Sequence, residues 1–365
     1  MTDENTFADR FRAAFRSCER TVFWRMTTPA DDLARLAKGC EELGVDDWDR
    51  YGSRGAVTML ETQVADLLGK PAALFVPSGT MAQQAVLRIW CDRTGSRRVA
   101  LPELSHLVHH EEDGPRRLHG LEWEFLTTGR RTPVAADLEA LPGVLGAALT
   151  ELPLRDAGCL LPSWEDLVGL STTAREGGVP LHLDGARLWE SQPFYDRPHA
   201  EIAALFDSVY VSFYKGLGAQ AGACVAADED VVDELRTWRA RMGGTLFGMT
   251  SYAVGGLLGL RDELPRMGEY AAWARSLAAA LPAHGIRVHP AEPGTCTFEV
   301  YADGDADAVN ERLLAFMEAE RLQLCGPFRQ TDDPGTVVTE LTAYAAATEH
   351  DPEVVAGWLA CVVHG

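Results

Sequence analysis

Between residues 72 and 227 short apolar runs alternate with longer stretches in which apolar positions recur every three or four residues. The runs 72–76, 98–101, 122–126, 145–151, 180–184, 208–213 and 221–227 have strand length, and several are almost uninterrupted in their hydrophobicity. They read as strands covered on both faces. The stretches 80–90, 163–176 and 230–241 carry the 3.6-residue period of helices that pack on such strands. Alternation of this kind predicts an α/β layer architecture around a mostly parallel sheet of seven strands.

Past Gly243-Gly244 the pattern changes. A long Ala/Leu-rich helical stretch covers roughly 251–281 and is interrupted near Pro265; strand candidates follow at 286–288, 295–301 and 336–341, with helices at 306–320 and 352–361. This order predicts a smaller α+β domain. The expected division is an N-terminal segment 1–45, a large domain 46–250 and a small domain 251–365. The polar segment 329–335 reads as a surface loop, and there is no internal repeat or low-complexity tract.

A chain of 365 residues, 46% of them hydrophobic, can bury a substantial core. Its 54 acidic against 33 basic residues give a formal charge of -21, which argues against duplex nucleic acid or an anionic membrane as the main partner. None of the eight cysteines falls in a Cys-x-x-Cys pair, so they read as reduced, mostly buried thiols rather than zinc ligands or a redox pair. The acidic N-terminus lacks the apolar core of a secretory signal, and no apolar run approaches the ~20 residues of a membrane span. The expected setting is the cytoplasm.

Four segments carry candidate chemistry. Ser78-Gly79-Thr80 follows a strand and opens a helix, where free N–H groups, hydroxyls and the helix dipole suit a phosphate; a plain helix N-cap is the other reading of the same residues. Asp184 closes an apolar strand, a costly place for a carboxylate without a partner. Arg187, three residues on, offers a planar fork for a carboxylate or phosphate, or for an internal salt bridge with Asp184. Lys215 follows another apolar strand and precedes Gly216-Leu217-Gly218, where a partly desolvated amine would lose its proton readily and become nucleophilic. His106, beyond the strand at 98–101, could stack on an aromatic ring or accept a proton. The H-x-x-H-H-E spacing from His106 to Glu111 matches no zinc pattern, so no metal is expected. Ligands of open α/β sheets bind outside the carboxyl ends of the strands. A lysine and an aspartate meeting there match the needs of pyridoxal 5'-phosphate: an amine for a Schiff base and an anion beside the pyridine nitrogen.

Taken in order, Asp46-Asp47, Tyr51-Gly52, Leu60-Glu61, Leu68-Gly69-Lys70, Phe75 to Ala82, His106, Glu151, His182 to Leu188 and Lys215 to Gly218 resemble the low-specificity L-threonine aldolases and their β-eliminating lyase relatives. The resemblance implies the fold type I architecture of pyridoxal-phosphate enzymes, with Lys215 bearing the cofactor, Asp184 against the pyridine nitrogen and His106 over the ring. It implies Ser78, Gly79 and Thr80 for the phosphate, and Arg187 for the substrate carboxylate. It further implies a homodimer or homotetramer in which Tyr51 reaches a neighbour's cofactor.

Three departures mark a divergent branch. The segment Trp24-Arg25-Met26-Thr27-Thr28 lacks the family's Ser-Asp-Thr element, with Arg25 as its candidate replacement for holding the substrate. Phe247 stands near the position of a usual arginine, and Thr336 to Glu340 replaces an Arg-x-Val-Thr-His block. The implied reaction is retro-aldol cleavage of a β-hydroxy-α-amino acid of the threonine or allo-threonine type to glycine and an aldehyde. β-Elimination, transamination or racemisation of another amino acid is the alternative.

Overall fold

The computed structural model describes residues 6–22 and 26–365. Two compact units divide the chain: residues 29–265, and the residues up to 28 together with 266–365. In the larger unit the principal helices are Pro29–Leu43 (α1), Gly55–Leu68 (α2), Gly79–Thr94 (α3), Trp164–Glu176 (α4), Glu229–Arg241 (α5) and Thr250–Asp262 (α6). Helices α1 and α6 fall inside this unit, beyond the expected divisions at 45/46 and 250/251, because α6 packs on both α1 and α2. Glycines make that approach close: a Cβ on Gly256 would stand 2.9 Å from Leu60, and one on Gly39 would stand 2.7 Å from Leu258.

Seven strands form the sheet of this unit: Ala72–Val76 (β1), Arg98–Leu101 (β2), Glu122–Phe125 (β3), Ala147–Glu151 (β4), Leu181–Gly185 (β5), Ser208–Ser212 (β6) and Ala223–Ala227 (β7). Their order is β1-β7-β6-β5-β4-β2-β3, and only β7 runs against its neighbours. The mostly parallel sheet expected from the apolar runs is therefore present, each strand within a few residues of its expected place. Strands β4 to β7 are buried along their whole length, as an inner strand covered on both faces requires.

The edge strand β1 is closed by side chains. The backbone N–H of Phe75 donates to Glu61 Oε1 at 2.8 Å, and the Phe75 carbonyl accepts from Arg239 Nη1 at 2.7 Å. An edge that would otherwise offer an unpaired donor and acceptor is thus satisfied from α2 and α5.

The smaller unit holds Arg287–His289 (β8), Thr297–Asp303 (β9) and Thr336–Thr342 (β10), with Met267–Ala280 (α7), Ala306–Glu320 (α8) and Pro352–His364 (α9). Its four-stranded antiparallel sheet runs from β8 through β9 and β10 to a short strand at Arg329–Gln330. That strand corrects the sequence reading of 329–335 as loop alone. Arg329 and Gln330 pair with Val338 and Val337, while their exposed polar side chains hid the backbone pairing from a hydrophobicity pattern. Six of the eight cysteines are buried; all eight are free thiols. No helix among the described residues is long and apolar enough to cross a membrane.

Candidate active site

The carboxyl ends of the parallel strands meet at a cleft with about 460 Å³ of empty space, open solvent at its mouth included. Gly79, Thr80, His106, Asp184, Arg187 and Lys215 all line it. Strand order explains the convergence. β1, β6, β5, β4 and β2 point the same way, so the segments that follow them reach the same edge. Gln83, Glu111, Glu151, Arg155, Tyr210 and Tyr214 also line the cleft.

Three residues form a row across adjacent strands: Glu151 on β4 is in register with Asp184 on β5, and Asp184 with Tyr210 on β6. All three are buried. Burial pushes the Asp184 carboxyl upward, against the opposing pull of the Lys215 ammonium, and Asp184 Oδ1 accepts the N–H of Ala186 at 3.0 Å. Glu151 is raised by burial and then by its proximity to Asp184. Glu151 Oε1 also accepts the backbone N–H of His106 at 2.7 Å, which fixes the start of the short helix His106–His109 at the strand end.

The Lys215 amine is lowered to about 8, first by burial and next by the Arg187 charge. An amine in that range supplies a substantial neutral fraction near pH 7, as carbonyl chemistry requires. The loop bearing it is tightly knit: Phe213 donates to Gly222 at 3.1 Å, Gly218 to Lys215 at 2.9 Å and Ala219 to Phe213 at 2.8 Å. Arg187, only 14% exposed, lies 3.6 Å from the buried Glu190 carboxylate.

His106 Nδ1 stands 3.5 Å from Glu111 Oε1, and that contact raises the imidazole above its ordinary value. Glu111 is held in turn by Gln84, whose amide donates to Oε2 at 3.2 Å. With Nδ1 facing a carboxylate, Nε2 is the ring's acceptor. His109 faces elsewhere, with Nε2 2.9 Å from the Glu103 carbonyl.

At the head of α3, Ser78 Oγ accepts from Met81 N–H at 3.2 Å, so its side chain serves as the N-cap. The first N–H groups of the helix have no intrahelical acceptor. Gly79 is required here: a Cβ would lie 2.1 Å from Tyr210 Oη and 3.2 Å from Tyr214 Oη. A glycine cradle at a helix N-terminus, a low-pKa lysine and a buried aspartate fit pyridoxal phosphate on structural grounds. Each is suited to a different part of the group: an N-terminal cradle to phosphate, an amine to an aldehyde carbon and a carboxylate to a pyridine nitrogen.

Two of the expected site residues that the structure describes, Ser78 and Tyr51, are absent from the lining of this cleft. Tyr51 is exposed, packs edge-on against Phe247 with ring centroids 5.5 Å apart, and belongs to a loop organised by buried Asp49. Arg25 lies outside the described residues. Phe247, at one of the departures, is also exposed and carries the Arg50 guanidinium 4.5 Å from its ring centre. Gln83 and Tyr210 received no role from sequence. Gln83 lies one helical turn after Gly79 and Tyr210 two residues before Ser212 in a buried strand, spacings that point to the cleft only once the face turned toward it is known.

Residues 27–303 match the sequence profile of the β-eliminating lyase family. Low-specificity L-threonine aldolase 1 of Arabidopsis thaliana is 30% identical over 281 residues, covering 73% of this chain and 76% of that protein. A structure from an Exiguobacterium species, assigned as an aromatic amino acid β-eliminating lyase/threonine aldolase, superposes with a TM-score of 0.90 at 34% identity, covering 97% of this chain and 99% of the other. A Listeria monocytogenes structure assigned as an L-allo-threonine aldolase does so with a TM-score of 0.90 at 32% identity, covering 98% and 99%.

Proposed function

The chain belongs to the β-eliminating lyase family, and on that premise we propose that it cleaves a β-hydroxy-α-amino acid of the threonine or allo-threonine type to glycine and an aldehyde. The cofactor is pyridoxal 5'-phosphate. The observation that carries the reading is the convergence of Lys215, Asp184, His106 and Arg187 on one cleft headed by the Gly79–Thr80 helix N-terminus.

Lys215 would hold the cofactor's aldehyde carbon, Asp184 would face its pyridine nitrogen, and the N–H groups at Gly79 and Thr80 would hold its phosphate. When bound, pyridoxal phosphate supplies an electron-withdrawing ring that accepts the electron pair released as the Cα–Cβ bond breaks. Arg187 grips the substrate carboxylate and thereby sets which bond at Cα stands perpendicular to the ring. His106 takes the β-hydroxyl proton at Nε2, directly or through one held water, as the hydroxyl carbon becomes the aldehyde carbonyl. Glu111 steadies the resulting imidazolium through Nδ1. A proton delivered to Cα then completes glycine.

Support for aldol cleavage over β-elimination, transamination or racemisation comes from the relatives that match most of this chain. The same reading carries a homodimer or homotetramer, in the cytoplasm, with an amino acid as its small-molecule partner and neither nucleic acid nor membrane. The exposed side chains of Trp48, Tyr51 and Phe247 support an assembly surface on the large unit. Incubation of the cofactor-loaded protein with each threonine and allo-threonine stereoisomer tests the reaction. Stoichiometric glycine and acetaldehyde are expected. Release of neither, or formation of a keto acid or an inverted centre instead, would overturn it.

A further inference from the structure

We infer that Gln83 is a cofactor-binding residue, its amide N–H aimed at an anionic oxygen of the cofactor by a one-way chain of hydrogen bonds that begins at Trp90. The inference rests on pyridoxal phosphate as the cofactor, and it concerns only residues of this chain.

Donor chemistry fixes the Trp90 end of the chain, and the direction inferred from there is the one that leaves the Gln83 amide donor toward the cleft. Trp90 Nε1 can only donate, and it lies 2.9 Å from Ser208 Oγ. The Ser208 hydroxyl therefore accepts there and has its own hydrogen for His182 Nδ1, 2.8 Å away. A Nδ1 that accepts leaves the ring proton on Nε2, which donates to Gln83 Oε1 at 2.8 Å. His182 is fully buried and burial lowers it to about 3, so the ring is neutral and carries one proton. With its oxygen committed to His182, Gln83 must turn its NH₂ the other way.

On that side Gln83 Nε2 is buried and has no acceptor among the described residues, while the residue lines the cleft. A buried amide donor left unpaired is costly. Here the missing acceptor belongs to whatever fills the cleft. Gln83 lies one turn after Gly79 and Thr80 on α3, and His182 shares a strand face with Asp184, so the chain approaches the cleft between the expected phosphate and pyridine ends. The reverse polarity, with His182 Nδ1 donating to the Ser208 carbonyl at 3.1 Å, would turn Gln83 Oε1 toward the cleft and repel an anion.

The test is equilibrium binding of pyridoxal 5'-phosphate to the wild type and to Q83E, Q83L, S208A and S208A/Q83L. Circular dichroism and the visible absorbance band of the bound cofactor confirm folding and attachment. Q83E keeps an acceptor for His182 but loses the donor, so its Kd should rise by about ten- to a hundredfold, as for a lost bond to a charged group. S208A never touches the cleft, yet by freeing the His182 tautomer it should raise Kd several-fold, and this effect should vanish in the Q83L background. The same titrations with pyridoxal separate a ring oxygen, where the loss persists, from a phosphate oxygen, where it disappears. A folded Q83E with wild-type Kd, or an S208A effect that persists undiminished in S208A/Q83L, would overturn the inference. Failure of the wild type to bind the cofactor at all would overturn the cofactor assignment beneath it.

Discussion

Glu151 stands opposite Asp184 in the parallel register of β4 and β5, and both are buried. Two such carboxyls resist being charged together, and both are raised above their ordinary range. A cationic pyridine nitrogen beside Asp184 would relieve that conflict, which gives Glu151 the neutral part. For Glu151 the folded protein binds more protons than the unfolded chain between the ordinary 4.5 and its raised value, so stability falls as pH rises through that window. E151Q should flatten this slope in the unloaded protein, measured by urea unfolding at a series of pH values. E151A should cost about 1–3 kcal/mol at low pH, because the His106 N–H loses its acceptor, and less as pH rises, because the buried carboxyl that resists ionisation is also gone.

Lys215 titrates in the opposite sense. Its folded value of about 8 lies below the ordinary 10.5, so the unfolded chain binds more protons between the two and stability rises with pH across that interval. The neutral amine is also the form that captures an aldehyde. Cofactor uptake by the unloaded protein, followed by stopped-flow absorbance, should rise about tenfold per pH unit below 8 and level off above it. K215A should abolish turnover while leaving the fold intact.

Gly79 is the tightest point of the cleft. G79A drives a methyl into Tyr210 Oη, and the expected cost is about 1–3 kcal/mol of stability, read from thermal unfolding. Cofactor affinity should fall with it, since relieving that clash moves the helix N-terminus away from Tyr210. Conservative changes at Ser78 should be milder, because its side chain serves the cap: S78A should cost about 1 kcal/mol.

The closed edge of the sheet is testable independently of catalysis. E61L leaves the Phe75 N–H without its acceptor and removes the carboxylate that opposes the buried Arg239 charge. A loss of about 1–3 kcal/mol is expected, with the cofactor's absorbance band unchanged in the folded fraction.

The seven strands were legible because each is a short apolar run between helical periods, and Asp184 and Lys215 because charged residues at the ends of such runs are conspicuous. Gln83, Tyr210 and the helices α1 and α2 were not. The first two matter only once α3 is laid on a particular face of the sheet, and polar residues within a helix or strand carry no mark of that choice. Arg329 and Gln330 escaped for the opposite reason, since a two-residue strand with exposed polar side chains has no hydrophobic signature. Tyr51 was recognised through its resemblance to a family rather than through pattern, and within one chain it lies away from the cleft.

The reversal of β7 has a consequence for how this enzyme can diversify. A parallel neighbour would have needed a long crossover after β6, whereas an antiparallel one lets residues 213–222 return directly, so the reactive amine rides on the shortest bridge between two inner strands. Insertions there would break the cross-links within the turn and displace the nitrogen. Evolutionary tinkering with substrate choice is thereby channelled into the segments after β2, β4 and β5, which can lengthen without moving the lysine.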